Sequence, residues 1–189
     1  MAALITFEGV RAGYEAPVVG PLSFAVRPGE VVGLSGPNGC GKTTVMRVLT
    51  GEAQVFAGRV ERSPGLAIAY QAQQGIELDE LPLRAREVFR LMSDADPGEL
   101  PERLQRTLDQ RIDRLSGGER QLIMVWSVLS HPGRLLLLDE PTNNLDPDGE
   151  RLLGEALCRT KGGERGVLLI SHELAFLERV CDRLVEVAA

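Results

Sequence analysis

Val31-Val32-Gly33-Leu34-Ser35-Gly36-Pro37-Asn38-Gly39-Cys40-Gly41-Lys42-Thr43-Thr44 is the stretch on which the reading of this chain turns. It opens as a short β-prone apolar run and passes into a glycine-rich loop that fits G-x-x-x-x-G-K-[ST]. It continues into a segment, Lys42 to Thr50, whose Val45, Val48 and Leu49 fall on one helical face, with Gly51 placed to close the helix. Strand, loop and helix in that order form a cradle for phosphate. An anion needs several converging N–H donors, and glycines let the backbone bend that closely without Cβ clashes. Lys42 supplies a point charge for β- and γ-phosphates, the Thr43 hydroxyl suits Mg²⁺, and the helix start adds its positive dipole end.

Working outward, Leu135-Leu136-Leu137-Leu138-Asp139-Glu140 is an apolar strand ending in two adjacent carboxylates. At the carboxyl edge of a parallel sheet, where ligands bind, Asp139 could hold Mg²⁺ and Glu140 could polarise an attacking water. Upstream, Leu115-Ser116-Gly117-Gly118-Glu119 opens a helix with the stripe Leu122, Val125, Trp126 and Leu129. Ser116 is a natural N-cap, and Gly117 and Gly118 expose helix-end amides to an anion. On local physics alone, that segment is a capped helix and nothing more. A further stripe at Leu152, Leu153, Ala156 and Leu157 precedes a second all-apolar run, Val167 to Ile170. Short apolar strands alternating with amphipathic helices predict an α/β fold with a mostly parallel sheet covered on both faces.

The N-terminal part predicts short strands at Leu4 to Phe7, Leu22 to Val26, Gly58 to Glu61 and Leu66 to Tyr70. Residues 83–115 change character. Ala85, Val88, Phe89 and Met92 share one helical face, Leu100, Leu104 and Leu108 another, and Asp94-Ala95-Asp96-Pro97-Gly98 breaks the two. This predicts a short helical subdomain of two helices inserted into a single domain spanning 1–189.

Composition narrows the function. Of 189 residues, 43% are hydrophobic and 25% charged, ordinary values for a globular domain, while aromatics reach only 4%. A balance of 21 basic against 27 acidic residues leaves −6, which argues against broad contact with a nucleic-acid backbone. No apolar run approaches the roughly 20 residues that span a bilayer, and no basic segment precedes an apolar one at the N-terminus. The cysteines Cys40, Cys158 and Cys181 make an odd count and no disulfide framework. The expectation is a cytoplasmic protein.

Taken together, these motifs resemble the nucleotide-binding domain of an ATP-binding-cassette (ABC) ATPase, over nearly the whole chain. Gly36 to Thr44, including Pro37, Asn38, Gly39, Cys40 and Gly41, matches the family's Walker A motif, and Ser116, Gly117, Gly118 and Glu119 match its signature. Leu135 to Glu140 matches Walker B with the catalytic glutamate, Pro141 to Asp146 resembles the D-loop, and Ser171-His172-Glu173 the switch-histidine region. Tyr14 stands where the family keeps an aromatic residue to stack adenine. For the Q-loop glutamine, Tyr70-Gln71-Ala72-Gln73 resembles a Tyr-x-Pro-Gln pattern and selects Gln73, with Gln71 the alternative and Ala72 a departure from the pattern. Other departures are Gln121-Leu122 and Trp126-Ser127-Val128-Leu129, where many members carry Gln-Arg and an Ala-Arg-Ala-Leu run. Trp126 reads as core.

The resemblance implies a P-loop core with an antiparallel N-terminal part, ATP and Mg²⁺ as cofactors, and ATP hydrolysis. Lys42, Thr43, Gln73, Asp139, Glu140 and His172 would act in cis, with Thr43, Gln73 and Asp139 toward the metal. Ser116, Gly117 and Gly118 would act in trans in a head-to-tail pair, homo- or heteromeric, peripheral on the cytoplasmic face of a membrane. The expected partner is a permease on a separate chain, docked by the Gln73 to Met92 segment; of Phe89 and Met92, at least one is expected to face it, the alternative being packing against Leu100, Leu104 and Leu108 inside the insert. Tyr70 to Leu83 resembles the zinc- or manganese-type subgroup. A soluble cassette ATPase acting on ribosomes or DNA is the main alternative, and a binding subunit with a degenerate site a further one.

Overall fold

Leu135 to Leu138 is completely buried, and its four leucines divide alternately between two cores. Leu135 and Leu137 join Phe7, Phe24, Val45 and Met46 in one. Leu136 and Leu138 join Leu122, Val125, Leu153 and Phe176 in the other. A strand sandwiched between two apolar layers has no polar side, which is why its sequence does not alternate. Each such leucine contributes about 1.5–3 kcal/mol by leaving water.

The computed structural model describes residues 2–72 and 82–188. Its strands are β1 (Ile5–Gly13), β2 (Pro17–Val26), β3 (Val31–Ser35), β4 (Gln54–Arg62), β5 (Ile68–Gln71), β6 (Leu135–Asp139), β7 (Gly166–Ile170) and β8 (Arg183–Glu186). The helices are α1 (Lys42–Thr50), α2 (Ala85–Ser93), α3 (Glu102–Gln105), α4 (Gly117–Ser130), α5 (Pro147–Thr160) and α6 (Leu174–Val180). A five-stranded parallel sheet runs in the order β5-β6-β7-β3-β8, and a three-stranded antiparallel sheet in the order β2-β1-β4. The antiparallel sheet and α1 share the first core with one face of the parallel sheet. Helices α2, α4, α5 and α6 cover the other face. The α/β class and the mixed sheet set agree with the sequence reading.

Four details differ from it. The first two strands form a long hairpin with Tyr14 at its turn, and β4 covers nine residues, well beyond Gly58 to Glu61. The second helix of the insert shrinks to the single turn α3. Pro97 and Pro101 withhold N–H groups, so the chain makes a 3₁₀ turn capped by the Asp96 side chain and restarts at Pro101. Leu100, Leu104 and Leu108 are buried all the same. Phe89 is fully buried and offers no apolar surface to a partner, while Met92 is half-buried at the edge of the same core; the most exposed apolar residue of α2 is Leu91, 77% exposed. Arg165, which stands in the sequence among charged residues with no helical stripe and so predicts solvated surface, is half-buried and donates from Nη2 to the Leu129 carbonyl at 2.6 Å.

Candidate active site

At the carboxyl ends of β3, β6 and β7, a cavity of about 350 Å³ is lined by Asn38, Gly39, Gly41, Lys42, Thr43, Thr44, Glu140, Ile170 and His172. Three segments far apart in sequence meet here because their strands are neighbours in the sheet. The loop wraps the start of α1, with Gly36, Gly39 and Gly41 at positive φ. Gly41 also faces β2, where a Cβ would lie 2.8 Å from the Val19 Cβ, so the hairpin presses directly on the loop. Lys42 Nζ donates to the Gly36 and Pro37 carbonyls at 2.8 and 3.0 Å, which holds the ammonium inside the loop. Cys40 is buried, with its N–H on the Pro37 carbonyl at 3.3 Å: a small packed residue.

Asp139 and Glu140 are almost without exposure, at 0% and 2%. Neither carboxylate oxygen of Asp139 has an aligned hydrogen bond among the described residues, although the Thr43 hydroxyl is its neighbour. Burial pushes the Asp139 pKa up, opposed by the Thr43 hydroxyl and then by Arg47, His172 and Lys42 nearby. Glu140 is also pushed up, first by burial, against the His172 N–H, which donates to Oε2 at 3.0 Å. His172 Nε2 lies 3.1 Å from Glu140 Oε1 without the alignment of a hydrogen bond. Glu140 adopts φ 55°, a left-handed conformation costly for a residue with a Cβ, immediately after a strand. It is pinned there by its N–H on the Ile170 carbonyl at 2.9 Å and by Gln121 Nε2 on its own carbonyl at 3.2 Å.

Ser116 and Glu119 form a capping box. The Ser116 N–H donates to Glu119 Oε2 at 2.9 Å, and Ser116 Oγ accepts from the Glu119 N–H at 3.3 Å. Ser116, Gly117 and Gly118 line a second cavity of about 370 Å³ with Arg103, Asn144, Leu145 and Asp146. The two cavities share no lining residue, so one chain does not bring its signature to its own phosphate loop. Tyr14 is half-exposed at the hairpin turn, its hydroxyl accepting from Arg47 Nη1 at 2.8 Å. The Arg47 guanidinium lies 5.9 Å from the Tyr14 ring centroid. Gln71 is buried at the end of β5, its Nε2 on the Ala72 carbonyl at 2.8 Å. Gln73 lies outside the described residues.

A family model described as ABC transporter matches residues 19–143. The chain belongs to that family. Its zinc-type kinship is equally direct: the zinc import ATP-binding protein ZnuC of Paracoccus denitrificans is 37% identical over 93% of this chain and 72% of its own length. Among solved structures, the ATP-binding subunit of an ABC transporter superposes with TM-score 0.83 at 27% identity, covering 98% of this chain and 86% of that one. An archaeal ribosome recycling factor superposes with TM-score 0.81 at 26% identity, but this chain covers only 37% of it. This ABC chain is an ATPase of the transporter class, and the ribosome-acting alternative is not favoured. Sequence reading missed Arg47 and Arg103, whose contacts span 33 and 43 positions respectively and leave no local pattern.

Proposed function

We propose that this ABC ATPase powers the import of zinc ions through a separate membrane permease. The observation that carries it is the cavity joining the phosphate loop to Asp139, Glu140 and His172, in a chain whose relative of 37% identity bears the zinc import name. No described helix is long and apolar enough to cross a membrane. In this reading the pathway for the ion lies in the permease, and the ATPase attaches peripherally at the cytoplasmic face.

Mg²⁺ fits the site. A buried carboxylate with both oxygens unpaired among the described residues, facing a threonine hydroxyl, is a donor set suited to a hard cation. Asp139 and Thr43, with Gln73 from outside the described residues, would hold it; when bound it offsets charge on the β- and γ-phosphate oxygens. The loop amides and Lys42 grip the phosphates. Glu140 polarises the attacking water, its carboxylate held in place by the His172 N–H, while the His172 ring faces the γ-phosphate. Adenine stacks on Tyr14. The Ser116 to Gly118 amides and Asp146 act on the nucleotide of a second nucleotide-binding domain, because their cavity is separate from their own phosphate loop. The permease docks on the α2 region, where Leu91 is the exposed apolar residue.

Two experiments test the reading. Lys42→Ala and Ser116→Arg each abolish ATP hydrolysis alone, and mixing the two purified variants restores part of it, since one site of the mixed pair joins an intact loop to an intact signature; mixed pairs without recovered turnover refute the composite site. In cells whose only copy carries Glu140→Gln, zinc accumulation is lost while manganese accumulation is unaffected. Loss of manganese uptake alone would move the cargo assignment.

A further inference from the structure

Arg103 lies in the insert on α3, and its guanidinium forks onto Asp146, the N-cap of α5. Nη1 donates to Oδ1 at 2.9 Å and Nη2 to Oδ2 at 2.8 Å. Asp146 Oδ1 also accepts from the Gly149 N–H at 2.8 Å, so its carboxylate is fixed from both sides. Together these donors hold its pKa below the ordinary carboxylate value, with the Arg103 fork the first cause. Beside it, Gly118 lies so close to the Asn144 carbonyl that a Cβ would stand 2.6 Å from the oxygen, and Asn144 itself is left-handed at φ 61°. The loop before α5 is therefore held at two places: against the signature by a glycine-to-backbone contact, and to the insert by a bidentate ion pair.

We propose that Arg103 is a positioning residue for the surface that this chain presents to its partner's nucleotide. By clamping Asp146, it ties the loop ahead of α5 to the insert and sets the spacing between that loop and the amides at the start of α4. Exposed ion pairs contribute little to stability. The Arg103 and Asp146 side chains are 38% and 54% exposed, so the fork's main effect is geometric. A planar guanidinium with two parallel bonds fixes both distance and orientation, which an ammonium at the same site would not.

This rests on the head-to-tail reading, and the mixed-variant experiment separates the two. Arg103→Met is introduced either into the Lys42→Ala chain, whose signature serves the one working site, or into the Ser116→Arg chain, whose signature is already disabled. In the first arrangement recovered ATP turnover falls roughly tenfold, short of the ~10²-fold that an ångström of misplacement costs a reacting group. In the second it holds at the level of the parent mixture. Arg103→Lys in the first arrangement recovers only part of the loss. Thermal melting of each chain, unchanged within about 2 °C for a surface pair, shows that folding is intact. Equal losses in both arrangements, or no loss in the first, overturn the role of Arg103 while leaving the composite site standing. Absence of recovery in the parent mixture overturns the composite site, and this proposal with it.

Discussion

Replacing Glu140 by glutamine should stabilise the protein while disabling it, and the size of the gain follows from the geometry. Glu140 is 2% exposed, and its Oε1 has no aligned hydrogen bond among the described residues. An unpaired buried acceptor costs about 1–3 kcal/mol, more when charged. Glutamine keeps a carbonyl oxygen for the His172 N–H and puts an uncharged amide where Oε1 now sits, so no buried charge is left without a partner. A gain of about 1–2 kcal/mol follows, or roughly 2–8 °C for a domain of this size.

The pH dependence gives the sharper test. Burial raises the Glu140 pKa, so the native state binds that proton more readily than the unfolded chain. Stability therefore falls as pH rises from the unfolded-state value of about 4.3 through the folded one, then stays at the lower level. The variant's amide does not titrate. The gap in melting temperature, measured without nucleotide or metal, should be widest at pH 7.5 and close toward pH 4, while turnover at pH 7.5 drops ~10²-fold or more. A variant that melts lower than the parent at pH 7.5, or a gap that widens on acidification, would refute the assignment of burial as the dominant influence on this carboxylate.

Gly118→Ala forces a Cβ to 2.6 Å from the Asn144 carbonyl oxygen, so ATP turnover should fall at least roughly tenfold with little change in nucleotide binding by the intact phosphate loop, read by a fluorescent ATP analogue. Tyr14→Ala should raise the KM for ATP several-fold at near-constant kcat, whereas Tyr14→Phe keeps the ring, loses only the Arg47 bond and falls between; equal KM in all three would remove Tyr14 from the adenine site. A cysteine at Leu91, in a chain lacking Cys40, Cys158 and Cys181, should crosslink in cells to a membrane protein, with a yield that changes with ATP; crosslinks to ribosomal proteins alone would redirect the partner assignment.

The parallel core was legible because Leu135 to Leu138 and Val167 to Ile170 carry no polar residue, a pattern that only two-sided burial explains. The glycine-rich turn into α1 and the Ser116 cap were legible for the same kind of reason: their geometry depends on neighbours within a few positions. What escaped depends on distance. The stripe of Ala85, Val88, Phe89 and Met92 identifies one face of α2, but its period is indifferent to whether that face meets this chain or a partner; α4 decides it, by covering Phe89. The second helix failed because two prolines outweigh a leucine period. Arg103 carries no mark of its role, since its partner stands 43 residues on. For the two glutamines, Gln71 sits buried within β5, and Gln73 falls beyond the described residues.

The stretch from Glu140 to Asp146 belongs to both cavities at once, with Glu140 in one and Asp146 in the other. It is stiff for identifiable reasons. Both Glu140 and Asn144 are left-handed, the Asn143 N–H bonds back to the Glu140 carbonyl at 3.2 Å, and the Leu145 N–H to that of Thr142 at 3.1 Å. Midway, the buried Thr142 hydroxyl meets Ser171 Oγ at 3.1 Å, which ties the turn to the residue just before His172. In the proposed head-to-tail pair, Glu140 serves the chain's own nucleotide and Asp146 the partner's. A displacement of Asp146 on closure would be carried along six residues with little slack to absorb it, toward the carboxylate proposed to polarise water. That placement accounts for a strained glutamate being tolerated at the end of β6: the left-handed turn there costs stability, and it directs the chain out of one site and into the other.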